Sequence, residues 1–375
     1  MFPAGACEAQ TEVNTVDEPW WLAALALLRE IETRSFVLRG SASYQLGDVR
    51  LEMHADHPTL LETFPRLYGD CALSSSNDID GPAVRVTMRR SYEPPLVVLT
   101  FQEGAPSDPA AAAYHLLRPT QAVPPFSVGD SALPGWRIAG GSTGPVLTAS
   151  ETQVLIHPKL VPPEFLVEYL VGIALGAQPW VLPIHGASLE IAGVGAVLVG
   201  ASRAGKTTTS LHLAARGHTL LGDEIALIRL ASGAIVPFRR TINVRPGPFD
   251  GELAAVLGIA GSDDSSASSP HRITELFPGR PPQPVPLRAV FFLAGFADSP
   301  SVEPFRLTLE HANVFDWITT PEIAYCSWGV APARRAFRLM VLKQVLLRIP
   351  CWLLKVGPPF ETAELIESTM EKLSC

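Results

Sequence analysis

The stretch "VLVGASRAGKTTTSLHLAARGHTLLGDEIALI" (197–228) decides the fold class, because it joins a glycine-rich loop to an acidic pair. Residues 200–207 satisfy the pattern GxxxxGK followed by Thr, between a strand-like apolar run and a helix-like segment. Glycines let successive backbone N–H groups turn inward around a phosphate, and the following helix directs its positive end at the same charge. The pattern therefore predicts a phosphate-binding loop with these nucleotide-binding positions: Gly200, Ala201, Ser202, Arg203, Ala204, Gly205, Lys206, Thr207 and Thr208.

The residues after the loop narrow the class of nucleotide-binding protein. The spacing allows the Lys206 amine to reach the β- and γ-phosphates and the Thr207 hydroxyl to bind Mg²⁺. A GTPase would need a base-reading NKxD motif downstream, and the sequence contains none. An ABC-type or helicase-type ATPase would place its acidic strand much further along the chain, whereas Asp223 follows Thr207 by only 16 positions, 223 minus 207.

Composition excludes several other classes of protein. The 375 residues are 47% hydrophobic and 18% charged, which is typical of a folded globular chain. A formal charge of -8 argues against a nucleic-acid partner, because phosphate contacts require a basic surface. The five cysteines form no CxxC pair, the start of the chain lacks the order of a signal peptide, and no apolar run of about 20 residues occurs. These features predict a cytoplasmic protein without stable membrane insertion.

Hydrophobic periodicity and turn residues predict two domains. Residues 1–17 form a flexible tail, 18–150 a small α+β domain, and 151–375 an α/β domain that carries the phosphate loop. The Ser-, Asp-, Gly- and Pro-rich segment 261–286 predicts a mobile surface loop inside the second domain. Residues 218–230 read as one buried strand that contains the acidic pair.

The order of features in "HGASLEIAGVGAVLVGASRAGKTTTSLHLAARGHTLLGDE" (185–224) resembles a known family. A strand with His-Gly, a glycine-rich hairpin, the phosphate loop, Arg-Gly-His and an acidic pair are similar to the catalytic domain of HPr kinase/phosphorylase. The resemblance is strongest to HPr-kinase-related proteins of peptide and polysaccharide biosynthesis. It implies a P-loop α/β fold like the C-terminal domain of HPr kinase, with a mixed sheet, preceded by a smaller α+β domain. It also implies ATP and Mg²⁺ as cofactors.

The resemblance assigns roles to matching positions. Asp223 falls at the catalytic aspartate that accepts the proton of the substrate hydroxyl, and His185 falls at the family's histidine beside that site. Lys206 is expected to be catalytic, and Thr207 and Glu224 are the expected metal ligands, Glu224 replacing a second aspartate. A departure from the family pattern is Arg203, which stands where HPr kinases usually have glycine.

Alternatives stay open for several of these residues. The acidic pair can instead ligate Mg²⁺ without a base role, and His185 can be a histidine of the core. Arg239 and Arg240 are candidates for binding phosphate or an acidic substrate, or residues of a solvated turn.

The resulting functional hypothesis is an ATP-dependent kinase that transfers the γ-phosphoryl group to a hydroxyl of a Ser or Thr in a peptide or small protein. A small-molecule hydroxyl is an alternative acceptor, and a non-kinase nucleotide-binding regulatory or assembly protein is an alternative class. The 18–150 domain is expected to recognise the substrate or a partner. The sequence leaves the oligomeric state open, a homo-oligomer included.

Overall fold

A computed structural model of the chain describes these residues: 38–73, 82–92, 95–103, 127–130, 137–141, 144–149, 153–156, 163–178, 180–244, 250–257, 269–279, 281–306 and 332–374. The tail expected at 1–17 lies outside these ranges. Among the described helices, none is both long enough and apolar enough to cross a lipid bilayer.

The N-terminal half of the described chain builds an eight-stranded sheet. In chain order its strands are β1 (Gly40–Leu46), β2 (Val49–Ala55), β3 (Ala83–Tyr92), β4 (Pro95–Glu103), β5 (Ser127–Asp130), β6 (Arg137–Gly141), β7 (Gly144–Ala149) and β8 (Gln153–Ile156). Their spatial order is β1-β2-β3-β4-β8-β7-β6-β5. Strands β2 and β3 are parallel and are connected through helix α1 (Pro58–Tyr68), while the other neighbouring strands of this sheet are antiparallel.

Alternation of side chains explains why this sheet buries one face. In β2, the side chains of Val49, Leu51 and Met53 are buried while those between them are half-exposed, the period of two expected of a strand. Helix α1 covers this face with Leu60 and Phe64, which are four residues apart and therefore share one side of the helix.

The C-terminal half contributes eleven strands and six helices to the described chain. The strands are β9 (Val181–His185), β10 (Ala187–Ile191), β11 (Val194–Gly200), β12 (Thr219–Gly222), β13 (Ile225–Arg229), β14 (Ala234–Val236), β15 (Ile242–Val244), β16 (Ser269–His271), β17 (Val285–Phe296), β18 (Ser301–Pro304) and β19 (Cys351–Val356). The helices are α2 (Pro163–Gly176), α3 (Lys206–Ala215), α4 (Asp250–Leu257), α5 (Ile273–Leu276), α6 (Pro332–Leu346) and α7 (Pro359–Ser374).

Nine of these strands form a second sheet, in the order β12-β10-β11-β17-β14-β13-β9, with β19 beside β17 and β18 beside β19. Strands β11, β17 and β19 are mutually parallel, and the remaining pairs of this sheet are antiparallel. Strands β15 and β16 pair separately. The mixed α/β class predicted from the sequence is confirmed.

Helices cover both faces of the second sheet. Leu211 of α3 and Ile366 of α7 pack on one face against a cluster that includes Leu198 and Phe291. Leu342 of α6 packs on the other face with a cluster that includes neighbouring positions of the same two strands. The parallel strands are therefore buried on both sides, which explains their nearly unbroken apolar sequences.

The two halves of the chain share one core, and the first sheet extends past residue 150. Strand β8 pairs with β4 and β7, so its residues belong to the first sheet although the predicted boundary places them in the second domain. Helix α2 buries Tyr169 in the same cluster as Tyr44 of β1 and Ile225 of β13. An ion pair between Arg229 and Asp48 also joins the two sheets.

Part of the segment predicted as a mobile loop, 261–286, has regular structure. Residues 261–268 and 280 lie outside the described ranges, but β16 and α5 occupy 269–276. Ile273 is fully buried in the core beneath α3, and the backbone N–H of Thr274 donates to Asp70. These contacts anchor a stretch whose composition alone predicted a loop.

Candidate functional site

A loop of residues 200–205, called the glycine loop, connects β11 to α3. It lies at the side of the sheet where the carboxyl ends of β11 and the parallel strand β17 meet. Gly205 has φ +95, a left-handed conformation that favours glycine. Gly200 is tightly packed, because a Cβ added to it would lie 3.0 Å from the Cβ of Leu293 and 3.1 Å from that of Ala204. The two positions thus favour glycine for different reasons, space at Gly200 and backbone conformation at Gly205.

Arg203 lies in the middle of the glycine loop with φ +66. This is the left-handed region, which is strained for a residue that has a Cβ. The chain therefore adopts a glycine-like backbone at the position where the resembling family usually has glycine. Its side chain is exposed on the loop.

Lys206, the first residue of α3, directs its amine back into the glycine loop. Nζ donates to the carbonyl oxygens of Gly200 at 2.8 Å and of Ala201 at 2.9 Å, and the residue is buried. The first N–H groups of a helix have no partner inside the helix and its N-terminus carries a partial positive charge. The lysine charge and the start of α3 therefore act on the same loop, which suits an anion.

Thr207 and Asp223 are brought into direct contact. Thr207 Oγ1 donates to Asp223 Oδ2 at 2.9 Å and lies 3.3 Å from Oδ1. Strand β12 is antiparallel to β10, which is antiparallel to β11, so β12 ends at the same edge of the sheet as β11. The residue after β12 therefore faces the helix that follows the glycine loop.

The Asp223 carboxyl group is buried, and its pKa lies closer to neutral pH than that of an exposed aspartate. Burial raises its pKa from 3.8 to about 6, and the neighbouring charge of Glu224 acts in the same direction. The hydrogen bond from Thr207 and the charge of Lys206 oppose this shift. A carboxyl group whose pKa lies close to the working pH is suited to exchanging a proton.

The acidic pair interrupts what the sequence predicts as one strand over 218–230. Asp223 and Glu224 form a bend between β12 and β13, and these two strands pair with different neighbours. Glu224 has φ +62, a strained backbone for a residue with a side chain. We call these two residues the acidic bend.

Tight packing explains two glycines that flank the acidic bend. A Cβ on Gly222 would lie 2.7 Å from the Phe238 carbonyl oxygen, and one on Gly186 would lie 2.7 Å from that of Leu198. The Gly186 N–H donates to the Glu224 carbonyl at 3.1 Å, which joins the His-Gly segment to the bend. The two motifs are distant in sequence and form one structure.

The Glu224 side chain points toward Arg240 rather than Thr207. Arg240 Nη1 lies 2.9 Å from Glu224 Oε2, and its Nη2 lies 3.6 Å from Glu168 of α2. Arg239 donates through Nε to the Leu220 carbonyl at 3.0 Å. Of the two candidate arginines, Arg240 is thus part of the acidic bend's surroundings, and Arg239 supports the backbone of β12.

His185 is buried at the end of β9, where its backbone pairs with Ile225 at the start of β13. It therefore lies on the strand beside the acidic bend. Two further histidines, His212 and His218, lie on α3 and just after it. His212 Nδ1 donates to the Thr208 carbonyl at 2.9 Å, and His218 Nε2 lies 2.8 Å from Glu367 on α7.

The oxygen atoms at the site fit a hard divalent cation bound together with phosphates. Mg²⁺ prefers oxygen ligands and is usually held by one or two carboxylates plus the phosphates of a nucleotide. Thr207 Oγ1 supplies one such oxygen, and a carboxylate oxygen of the acidic bend can supply a second, although Glu224 forms an ion pair with Arg240 in this structure. Within the described ranges, no cluster of three or more His, Cys, Asp or Glu side chains could hold a metal unaided.

Comparison with known proteins gives partial matches. No protein-family model matches the chain. Segments of it are similar to proteins named HPr kinase/phosphorylase: 51% identity over 80 residues with that of Lactobacillus acidophilus, covering 21% of this chain and 22% of the relative. With the HPr kinase/phosphorylase of Listeria monocytogenes the identity is 24% over 163 residues, which cover 41% of this chain and 49% of the relative. With that of Bacillus pumilus the identity is 46% over 46 residues, which cover 12% of this chain and 15% of the relative.

The chain spans at most about half the length of these curated relatives. The solved structure of the Hpr(Ser) kinase/phosphatase from Coxiella burnetii matches 51% of this chain and 89% of its own length, at 14% identity and a TM-score of 0.23. That TM-score is too low to indicate a common arrangement of the elements. The similarity to HPr kinase/phosphorylases therefore rests on sequence segments.

Proposed function

We propose that the protein is an ATP-dependent phosphotransferase that transfers the γ-phosphoryl group to a hydroxyl, acting on a Ser or Thr of a peptide or small protein. The observation that carries the proposal is the Thr207–Asp223 hydrogen bond, which puts a buried carboxylate at the first turn of the helix after the glycine loop. The partial similarity to proteins named HPr kinase/phosphorylase supports the same reaction class.

The glycine loop and Lys206 would bind the triphosphate. Phosphoryl transfer needs positioning and neutralisation of charge more than covalent chemistry from the protein. The Lys206 amine already lies within the loop, bonded to the carbonyls of Gly200 and Ala201, where little movement would bring it to a phosphate oxygen. Bound Mg²⁺ would neutralise phosphate charge, with the Thr207 hydroxyl and an acidic side chain as its protein ligands.

Asp223 would accept the proton of the attacking hydroxyl as that oxygen forms its bond to phosphorus. Its pKa of about 6 leaves it mostly ionised at neutral pH, yet basic enough to take a proton. Glu224, the metal ligand expected from the sequence, would reach the cation after releasing Arg240. His185 would help to hold the acidic bend from the neighbouring strand.

The acceptor class is proposed from the relatives, whose names specify HPr as their target. Purified protein with radiolabelled ATP and Mg²⁺ should label an acceptor from a panel of HPr, Ser/Thr peptides and small hydroxyl compounds. Labelled peptide or protein with acid-stable phosphoserine or phosphothreonine is the expected result. The matched control is Lys206→Ala, which should label the acceptor at least about 100-fold more slowly.

Labelling of only small compounds would move the acceptor class to the small-molecule alternative. In another outcome, the wild-type protein binds MgATP but labels every acceptor no faster than Lys206→Ala does. That result would favour a nucleotide-binding regulatory protein. Failure of the wild-type protein to bind MgATP would contradict the proposed function altogether.

A further inference from the structure

Strand β17 contains an irregularity that redirects its last side chain. Leu293 pairs with Leu354 of β19, but Phe296 pairs with Val356, so β17 has two residues between these pairs where β19 has one. Gly295, inside this interval, has φ +131, which side-chain-bearing residues rarely adopt. Bulges of this kind reorient side chains and are over-represented beside active sites.

The bulge changes the face of the sheet on which Phe296 lies. Along β17, Phe291 and Leu293 belong to the core beneath α3, whereas Val290 and Phe292 belong to the opposite core. Without the extra residue, strict alternation would put Phe296 on the face of Phe292. Its pairing with Val356, which belongs to the core beneath α3, shows that the bulge moves it to the α3 face.

On that face the Phe296 ring lies against the glycine loop yet stays open to solvent. Two of its ring carbons lie 3.6 and 3.8 Å from the position that a Cβ on Gly205 would occupy. The residue is 64% exposed. Single exposed apolar residues are ordinary on protein surfaces, so its position beside the loop matters more than its exposure.

Phe296 and the acidic bend lie on opposite sides of the glycine loop. Strands β12, β11 and β17 all end at the same edge, and β12 and β17 are three inter-strand steps apart, about 14 Å. A nucleoside triphosphate held at the loop with its γ-phosphate toward Asp223 would extend its other end toward Phe296.

We infer that Phe296 is the stacking surface for the nucleobase. The inference rests on the proposed nucleotide-binding function and adds the base-recognition position to it. A base offers a flat π-face to an aromatic ring, and such stacking does not depend on a particular pattern of hydrogen bonds. The surface should therefore bind adenine and guanine similarly.

The test compares MgATP with inorganic magnesium tripolyphosphate, which has the phosphates and no base. Calorimetric titration of Phe296→Ala should show a roughly 5- to 150-fold loss of MgATP affinity, the range expected for loss of one stacked base. Affinity for tripolyphosphate should stay within about twofold of wild type. Phe296→Leu, which keeps apolar bulk without the ring, should resemble Phe296→Ala, and Phe296→Tyr should retain MgATP binding.

Phe360→Ala is the matched control. Phe360 is 56% exposed, and its ring lies beneath the Arg216 guanidinium at 4.7 Å, at the opposite end of α3 from Gly205. The Phe360→Ala variant should keep wild-type affinity for both MgATP and tripolyphosphate. A Phe296→Ala protein that binds MgATP normally, or that weakens both ligands equally, would overturn the base subsite. A wild type that binds neither ligand overturns the proposed function instead, and a wild type that binds tripolyphosphate as tightly as MgATP overturns the subsite alone.

Discussion

The Thr207 hydroxyl donates a 2.9 Å hydrogen bond to the Asp223 carboxylate, which connects the first turn of α3 to the residue after β12. The contact ties the predicted phosphate loop to the predicted catalytic carboxylate. It also opposes the effect of burial, which raises the Asp223 pKa to about 6. The state of this carboxyl group is therefore measurable through stability as well as activity.

The raised Asp223 pKa predicts a specific dependence of stability on pH. Because the folded state holds this proton more tightly than the unfolded state, the contribution is full below about pH 3.8 and is lost as pH rises through about 6. The difference in unfolding free energy between wild type and Asp223→Asn should fall by about 2 kcal/mol from pH 4.5 to 7. Denaturant titrations in Mg²⁺-free buffer measure it. A pH-independent difference would mean that the carboxyl group titrates normally.

Replacing Lys206 should separate chemistry from folding. Lys206→Ala removes the charge expected at the phosphates, so turnover should fall about 100-fold or more. The unfolding transition should remain cooperative, since the amine donates hydrogen bonds to two carbonyl oxygens of the glycine loop. Lys372→Ala, at an exposed position of α7, is the control and should keep full turnover. More than a tenth of wild-type turnover in Lys206→Ala would contradict the assignment.

Arg203 allows a test of the loop's backbone conformation. Its φ of +66 is costly for alanine and free for glycine, so Arg203→Gly should be about 0.5–1 kcal/mol more stable than Arg203→Ala. Both variants lack the guanidinium, and comparing them isolates the backbone term. Equal stability by chemical denaturation, or a more stable alanine variant, would show that the loop does not hold this conformation in solution.

The shared core predicts that the chain cannot be divided at residue 150. A fragment beginning at residue 151 would expose Tyr169 and other core residues of α2, and it would separate β8 from β4. We expect it to lack a cooperative thermal transition, whereas the full chain should show one. A cooperative melt of the shorter fragment would show that the second half folds independently.

Local features of the site were predictable from sequence, and long-range ones were not. The glycine loop and the start of α3 follow from residues adjacent in the chain, whose pattern has a direct physical cause. The sequence does not predict the bend at Glu224, because its apolar flanks have the pattern of one continuous strand and the break depends on pairing with separate neighbours. The same reason explains β8, whose sheet is decided by β4, some fifty positions earlier.

Two further structural details, the bulge in β17 and the Glu224–Arg240 ion pair, are only weakly indicated by the sequence. Gly295 inside an apolar strand is a known sign of a bulge, but it does not show which side chain the bulge redirects. The Glu224–Arg240 ion pair joins residues with no shared motif, and it emerges only when the segment after β14 returns to the acidic bend. Packing, rather than propensity, determines both.

The most direct test of the central claim is Asp223→Asn, measured for MgATP binding and for phosphoryl transfer in the same preparation. The amide keeps the shape of the side chain and removes the proton acceptor. If Asp223 is the base, MgATP affinity should survive while transfer falls by roughly 10²-fold or more. Loss of MgATP binding at unchanged folding stability would contradict this role, and would make Asp223 a ligand of the metal instead.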